Sequence, residues 1–333
     1  MNIIVDAMGG DHAPKEIVQG VVEAVKAFDV CVTLIGIEPQ VRQELAKYEY
    51  PNDRIELIHA DETIDMHDVA TSSIRKKKNS SISVGINLLK DSKKYHAFIS
   101  AGNTGAVVCA STFFLGMLPG VERPAIGLAI PTLKNFAFLI DVGANTDPKP
   151  EHLLQSAIMA KVYAQKVMNI NDPRIGLLNI GAEETKGTDF IKETHRLFLD
   201  RLSNFAGNIE ANEIFSGRCD CIICDGYVGN VVIKISESLM ESTLALVRRE
   251  VKKSPVAMLG ALLMKSCMKD IKKHADYSEY GGAPLLGVNG LVMISHGRSN
   301  AKAIKNAIRA TIREIENNMI DHVIKEVTNN EAR

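Results

Sequence analysis

Ala97-Phe98-Ile99-Ser100-Ala101-Gly102-Asn103-Thr104-Gly105-Ala106 joins a short apolar run to a turn of small residues and then to a helical pattern. A strand that ends this way and feeds a helix presents unpaired backbone N–H groups at a positive dipole end, which together hold an anion. The same join recurs four times. Ile3-Ile4-Val5 precedes Asp6-Ala7-Met8-Gly9-Gly10-Asp11-His12, and Phe138-Leu139-Ile140 precedes Asp141-Val142-Gly143-Ala144-Asn145. Ile175-Gly176-Leu177-Leu178-Asn179-Ile180 leads to Gly181-Ala182-Glu183-Glu184-Thr185-Lys186-Gly187, and Cys221-Ile222-Ile223-Cys224 to Asp225-Gly226-Tyr227-Val228-Gly229-Asn230. In an open α/β sheet such strand-end turns share one crevice, so the expectation is a single phosphate-holding site built from all five.

Outward from these joins, strand-like runs alternate with helical patterns, which predicts an α/β fold with a parallel sheet covered on both faces. Residues 15–28 and 38–48 read as helices around a strand at 31–36, with another strand at 55–59. Further helices are expected at 83–93, 106–118, 149–169, 189–202 and 236–253, and a last one at 300–328. The polar run Ser73-Ile74-Arg75-Lys76-Lys77-Lys78-Asn79-Ser80-Ser81 reads first as a solvated helix end and loop, with a docking patch for an acidic carrier as the second reading.

One segment departs from the α/β rhythm. Residues 255–273 begin with proline at a helix start and place Val256, Leu259, Leu263, Cys267 and Ile271 on one face, with Lys265, Lys269, Lys272 and Lys273 on the other. Six lysines between Lys252 and Lys273 oppose one Asp270, a local charge of +5. A buried dimer helix and a membrane-surface contact both fit this pattern. The membrane reading rests on Val256, Leu259, Leu262, Leu263, Lys265 and Lys269.

The bulk numbers narrow the class. The 333 residues suffice for one large α/β unit or two lobes, with 236–280 as a protruding helical element. Lys and Arg total 39 against 40 for Asp and Glu, so no global charge favours nucleic acid. No stretch approaches the length of an apolar membrane span, and the start lacks a basic, cleavable leader, so a cytoplasmic protein is expected. Cys219, Cys221 and Cys224 supply three thiols on an alternating apolar run, which reads as buried structure rather than a zinc site.

The turns contain no G-x-G-x-x-G, no G-x-x-x-x-G-K-[ST] and no G-x-S-x-G, which weakens nucleotide and serine-hydrolase readings. What remains is an enzyme that holds a small oxyanion and lets it act as the nucleophile, needing charge, position and donors to a developing oxyanion. Lys186 is the lysine inside the turn set, and Asn103, Asn145 and Asn230 are uncharged amide donors; each also has an ordinary structural reading, as turn geometry or a solvated side chain.

Ordered motifs along nearly the whole chain resemble those of the bacterial phosphate acyltransferases, the acyl-[acyl carrier protein]:phosphate acyltransferases of phospholipid synthesis. They are Val5 to Pro14, Ser100 to Ala106, Arg123-Pro124-Ala125, Asp141 to Asn145, Gly176 to Gly187, Gly207-Asn208-Ile209-Glu210, Asp225 to Asn230, and Tyr280 to Gly287 through His296-Gly297. Ala211-Asn212-Glu213 departs locally from the family pattern. The resemblance implies attack of inorganic phosphate on a fatty acyl thioester of acyl carrier protein, giving acyl phosphate for phosphatidic acid synthesis. It implies a three-layer α/β/α fold similar to isocitrate and isopropylmalate dehydrogenase and to phosphotransacetylase, a homodimer, and peripheral contact with anionic membrane. No metal and no organic cofactor are implied. Lys186 and Asn230 become the expected catalytic pair with Asp225 beside them. Phosphate is expected at Gly9, Gly10, Asp11, Ser100, Gly102, Asn103, Thr104 and Gly105, with Asn145 nearby. A nicotinamide-dependent oxidoreductase of the same fold and a non-enzymatic carrier or membrane scaffold are the alternatives.

Overall fold

The computed structural model describes residues 1–269 and 281–331. Strands β1 (Asn2–Asp6), β2 (Cys31–Gly36) and β3 (Ile55–His59) alternate with helices α1 (Lys15–Ala27) and α2 (Glu38–Leu45). Helices α3 (Ala70–Lys76) and α4 (Ser81–Leu88) lead to β4 (Ala97–Ser100), α5 (Thr104–Phe114), β5 (Ala125–Pro131), β6 (Phe136–Ile140) and α6 (Pro150–Lys166). Then come β7 (Ile175–Leu178), α7 (Asp189–Arg201), β8 (Phe205–Ile209), β9 (Cys221–Ile223), α8 (Gly226–Val251) and α9 (Pro255–Leu263). The hairpin β10 (Ala283–Leu286) and β11 (Leu291–Ile294) precedes α10 (Ala301–Glu316) and α11 (Met319–Glu331).

All eleven strands form one sheet in the order β3-β2-β1-β4-β11-β10-β5-β6-β9-β7-β8. The first five run parallel to one another, and β6, β9, β7 and β8 form a second parallel group. Between them β10 pairs antiparallel with both β11 and β5, and β5 pairs antiparallel with β6. Three successive reversals leave the second group running opposite to the first. The two-residue period of a strand sends neighbouring side chains to opposite faces, so both faces need cover. In β1, Ile3 and Val5 pack with α1 and α10 while Ile4 packs with α4 and α5. In β6, Phe138 and Ile140 pack with α6, α7 and α11, and Leu139 meets Val232 and Ile233 of α8. The result is the expected three-layer arrangement.

Several element boundaries differ from the sequence reading. The helix expected at 236–253 begins ten residues earlier, because the Asp225 side chain accepts the Val228 N–H at 2.9 Å and caps it there. Gly226 and Gly229 read as turn residues, yet they are needed for contact: a Cβ on Gly229 would lie 1.9 Å from the Asp141 carbonyl oxygen. The single C-terminal helix is two, divided at Asn317-Asn318, where Asn318 has φ +47°. Helices expected at 83–93 and 149–169 end earlier, at Leu88 and Lys166. The basic run closes α3 instead of forming only a loop end, and Lys77 turns inward to Asp68 (2.7 Å) and the Thr63 carbonyl (2.8 Å).

Beyond its first turns α8 leaves the body of the molecule, and most of its residues from 234 to 250 are exposed. α9 continues this projection, followed by helical backbone at 265–269. The expected continuation through Ile271, Lys272 and Lys273 lies outside the described residues. No described helix is long and apolar enough to cross a membrane.

Candidate active site

The five turns do not converge on one crevice. They fall into two groups, because the chain reverses direction between β11 and β6. One group follows β1, β4 and β11; the other follows β6, β7 and β9. Strands β4 and β6 have β11, β10 and β5 between them, a lateral span of about 19 Å at the usual strand spacing.

The first group is organised by Asp6, which is fully buried at the end of β1. Its carboxylate accepts the Ser100 hydroxyl at 2.7 Å and the Met8 N–H at 3.0 Å, and it is also hydrogen-bonded by Ser81 and the Gly9 N–H. Ser100 Oγ in turn accepts the Gly102 N–H at 3.0 Å. Burial raises the Asp6 pKa, and these hydrogen bonds pull it back. Gly9 is glycine because its backbone abuts this network, and Gly10 because it has φ +97° and lies against the Gly297 carbonyl. The Asp11 N–H donates to that same carbonyl at 2.8 Å. Thr104 and Gly105 open α5, both in its first turn.

Asn103 sits here, but its side chain is already engaged. Its Oδ1 accepts the Ala106 N–H at 3.0 Å as the cap of α5, and its Nδ2 lies 3.0–3.2 Å from the carbonyls of Asp65, Met66 and Asp68. The amide thus fastens the 65–68 loop beside the turn. Sequence reasoning missed two members of this group. Asp6 was visible only as a strand-end residue, and its role depends on Ser81 and Ser100 arriving from elsewhere in the chain. The second is Ser295, 4 % exposed at the end of β11, whose hydroxyl has no hydrogen-bond partner. The signal for it was another apolar run, Leu291-Val292-Met293-Ile294, ending in small residues.

The second group is organised by Asp141 in the same way. Its Oδ1 accepts N–H groups of Ile126, Gly143 and Ala144 at 2.9–3.0 Å, and its Oδ2 accepts that of Asn145 at 2.6 Å. Burial pushes its pKa up and the four donors oppose this. Asn145 is placed in this group and not beside Gly102–Gly105 as expected: its Nδ2 donates to the Pro124 carbonyl at 2.6 Å, and its carbonyl accepts the Gly226 N–H. Asn230 stands in the first turns of α8, its Cβ 4.0 Å from where a Cβ on Gly143 would be. Asp225 caps α8. Asp141, Asn145, Pro148, His152, Cys224 and Asp225 among others gather here around a space too small to admit a water.

Lys186 lies on the turn after β7, one strand over from β9. Asn179 holds that turn closed by donating to the Lys186 carbonyl at 3.2 Å, and Gly187 (φ +89°) leaves room for the Asn179 amide. The Lys186 stem crosses Gly181, 3.0 Å from a Cβ placed there. Lys186 and Asn230 are both exposed. Cys219, Cys221 and Cys224 are buried thiols, and burial raises the Cys219 pKa to about 11, far from a reactive thiolate. On α9, Val256, Leu259, Leu262 and Leu263 are exposed, as are Lys265 and Lys269 beyond it.

Two acidic strand-end residues that each shape a backbone N–H turn, with a buried unpartnered hydroxyl near one, an amide near the other and a lysine two strands along the same sheet edge, suit binding of an anion and polarisation of an acyl group. Comparison with known proteins supports this class of chemistry. Residues 1–322 match the family described as "Fatty acid synthesis protein". The phosphate acyltransferase of Alkaliphilus oremlandii is 46 % identical over 328 residues, covering 98 % of each chain. Among solved structures, a phosphotransacetylase from Streptococcus pyogenes has a similar fold, with TM-score 0.64, 16 % identity and 94 % of each chain covered. A 4-hydroxythreonine-4-phosphate dehydrogenase from Klebsiella pneumoniae is a more distant likeness, with TM-score 0.50, 12 % identity and 94 % and 99 % of the two chains covered. On the strength of its near-full-length relatives, the chain belongs to the phosphate acyltransferase family and is an acyltransferase.

Proposed function

We propose that the protein transfers a fatty acyl group from acyl carrier protein to inorganic phosphate, releasing acyl phosphate for phospholipid synthesis. The observation that carries this reading is the first group of turns, where the Gly9–Asp11 and Ser100–Gly105 backbones are joined through the Asp6–Ser100 hydrogen bond, with Ser295 beside Ser100. A phosphate there meets N–H donors and the positive end of α5. The helix dipole contributes up to ~2 kcal/mol, so a cation must help hold the dianion. Phosphate oxygen attacks the thioester carbonyl, the carbon–sulfur bond breaks, and the carrier leaves as thiolate, which takes up a proton. Lys186 neutralises charge on the attacking phosphate or the developing oxyanion, and Asn230 orients the carbonyl. Asp225 supports them by fixing the start of α8.

A homodimer brings these parts together. On α8 the exposed Tyr227, Val228, Val231, Ile235, Leu239 and Leu246 recur at helical spacing on one face. An apolar face of this kind needs a partner, and a second copy satisfies it symmetrically. The face begins in the same turn as Asn230, so the copy that covers α8 closes over the Lys186–Asn230 side. The phosphate turn of one chain then meets the Lys186–Asn230 group of the other. The basic, apolar α9 projection makes peripheral contact with anionic membrane, where the acyl phosphate is consumed.

The test is release of carrier thiol from palmitoyl-acyl carrier protein by purified protein, with and without phosphate. Phosphate-dependent release with formation of palmitoyl phosphate is expected. Release that ignores phosphate, or none, refutes the reading.

A further inference from the structure

A second strongly basic surface lies beside the first group of turns, apart from α9. Residues 70–94 carry seven basic side chains against one acidic, a formal charge of +6 in a chain whose net charge is −1. The fold divides these charges by task. Lys77 is drawn inward by Asp68 and the Thr63 carbonyl, and Lys94 pairs with Glu56 at 3.2 Å. Lys90 lies over the Phe114 ring. Arg75, Lys76 and Lys78 are exposed and have no ion-pair partner among the described residues.

The preceding residues 61–68 add four acids, so 61–94 as a whole carries seven basic side chains against five acidic. None of these acids forms an ion pair with Arg75, Lys76 or Lys78: Asp68 is committed to Lys77, Asp61 is bonded to His59 at 2.9 Å, and Glu62 accepts the Asn79 N–H at 3.2 Å. The position of the run is fixed by burial of Ser73 and Ile74 on the other side of α3, and by Ala70, whose Cβ lies 3.1 Å from a Cβ placed on Gly105 at the start of α5. Lys78 is three residues from Ser81, so its backbone stands within about 11 Å of the residue that hydrogen-bonds Asp6 beneath the phosphate turn. Two exposed apolar side chains, Met66 and Val69, lie just before α3 on the loop that Asn103 fastens.

We propose that Arg75, Lys76 and Lys78, with Met66 and Val69 at their edge, form the docking surface for an acidic carrier domain that presents its acyl thioester to the adjacent turn. This rests on the acyl-transfer reading above and specifies where its donor binds. Charge complementarity selects an acidic protein: the cations are unpaired, clustered and next to the reacting site, as electrostatic steering of a macromolecular substrate requires. A lipid surface is the poorer fit, since only two apolar side chains accompany the cations here, whereas α9 exposes Val256, Met258, Leu259, Leu262 and Leu263 together.

The test is the triple variant Arg75→Glu/Lys76→Glu/Lys78→Glu of the full chain, assayed with palmitoyl-acyl carrier protein and with a palmitoyl thioester of N-acetylcysteamine, which has no carrier. The KM for the carrier substrate should rise by about tenfold or more, with kcat and the KM for the small thioester nearly unchanged. Added salt should raise the wild-type carrier KM and leave that of the variant flat. Lys76→Arg should behave as wild type. An unchanged carrier KM, or an equal loss with both thioesters, overturns the proposal. So does loss of binding to phosphatidylglycerol vesicles with carrier KM intact, which would assign the patch to lipid. Wild-type turnover keeps the two readings apart: absence of phosphate-dependent release refutes acyl transfer, while normal wild-type release with an indifferent variant refutes only the docking surface.

Discussion

Gly9→Ala adds one methyl group at the place where the first group of turns is most crowded. The new Cβ would lie 2.6 Å from the Gly102 nitrogen, 2.7 Å from Asp6 Oδ2 and 3.0 Å from Ser100 Oγ. None of these atoms is the free end of a flexible chain: one is backbone, and the other two belong to the buried Asp6–Ser100 hydrogen bond. Overpacking of a tight interior costs about 1–3 kcal/mol. Weakening a buried hydrogen bond to a charged acceptor adds about 1.5–3 kcal/mol. A total of about 2.5–6 kcal/mol is a large part of the roughly 5–15 kcal/mol that holds an ordinary domain together, so the variant should be clearly less stable. Because the displaced groups shape the phosphate turn, the phosphate KM should rise as well. Gly260→Ala is the control, since a Cβ there meets nothing within 4 Å and alanine is the better helix former by about 1 kcal/mol. Urea unfolding with linear extrapolation, alongside phosphate titration of the thiol-release assay, measures both quantities. A Gly9→Ala protein within about 1 kcal/mol of wild type and with its phosphate KM unaltered would refute the reasoning.

Lys186→Ala and Asn230→Ala should each lower kcat by about 100- to 1000-fold while leaving the fold intact, as loss of one preorganised donor does; near-full activity in either would remove that residue from the chemistry. Thr104→Glu places a carboxylate in the phosphate turn, and co-refolding it with Lys186→Ala should restore about a quarter of wild-type activity if the two groups meet across a dimer; mixtures no better than either variant alone would show that they act within one chain. Glu314, 1 % exposed and hydrogen-bonded to Tyr163, has its pKa raised by burial to about 8. The folded state therefore keeps its proton where the unfolded state has lost it, so stability should fall as pH rises from about 4.5 to 8, by at most about 5 kcal/mol, and level off above. Glu314→Gln should flatten that slope in pH-dependent denaturation, and an unchanged slope would exclude Glu314 as its source. Leu263→Glu alters a residue that is 79 % exposed on α9, and should leave the dimer intact by light scattering while abolishing vesicle flotation; retained vesicle binding by an intact dimer would refute the membrane role.

The local grammar of the chain was readable without tertiary structure. Apolar runs such as Ile3-Ile4-Val5 and Phe138-Leu139-Ile140 are strands, and the small residues after them are turns, because side-chain periodicity and backbone freedom act over a few residues. Family membership was equally legible, since ordered motifs lie along the whole length. Where the helices end depended on caps and contacts. The glycines of 226–229 argue for a turn until the Asp141 carbonyl that presses on Gly229 is in view.

The strand-end turns and their chemistry were thus legible in the order of residues alone, but which of the turns stand together came from the folded sheet. Leu285 and Leu286 pair with Ile126 and Ala125, residues more than 150 positions away, and the reversals at β10, β5 and β6 turn the Asp141, Lys186 and Asn230 group away from the Gly102 group. The same long-range pairing brings Ser295 beside Ser100 and gives Asp6 its hydrogen-bond partners. Strand direction and neighbour order arise from contacts between distant parts of the chain, and no local periodicity encodes them.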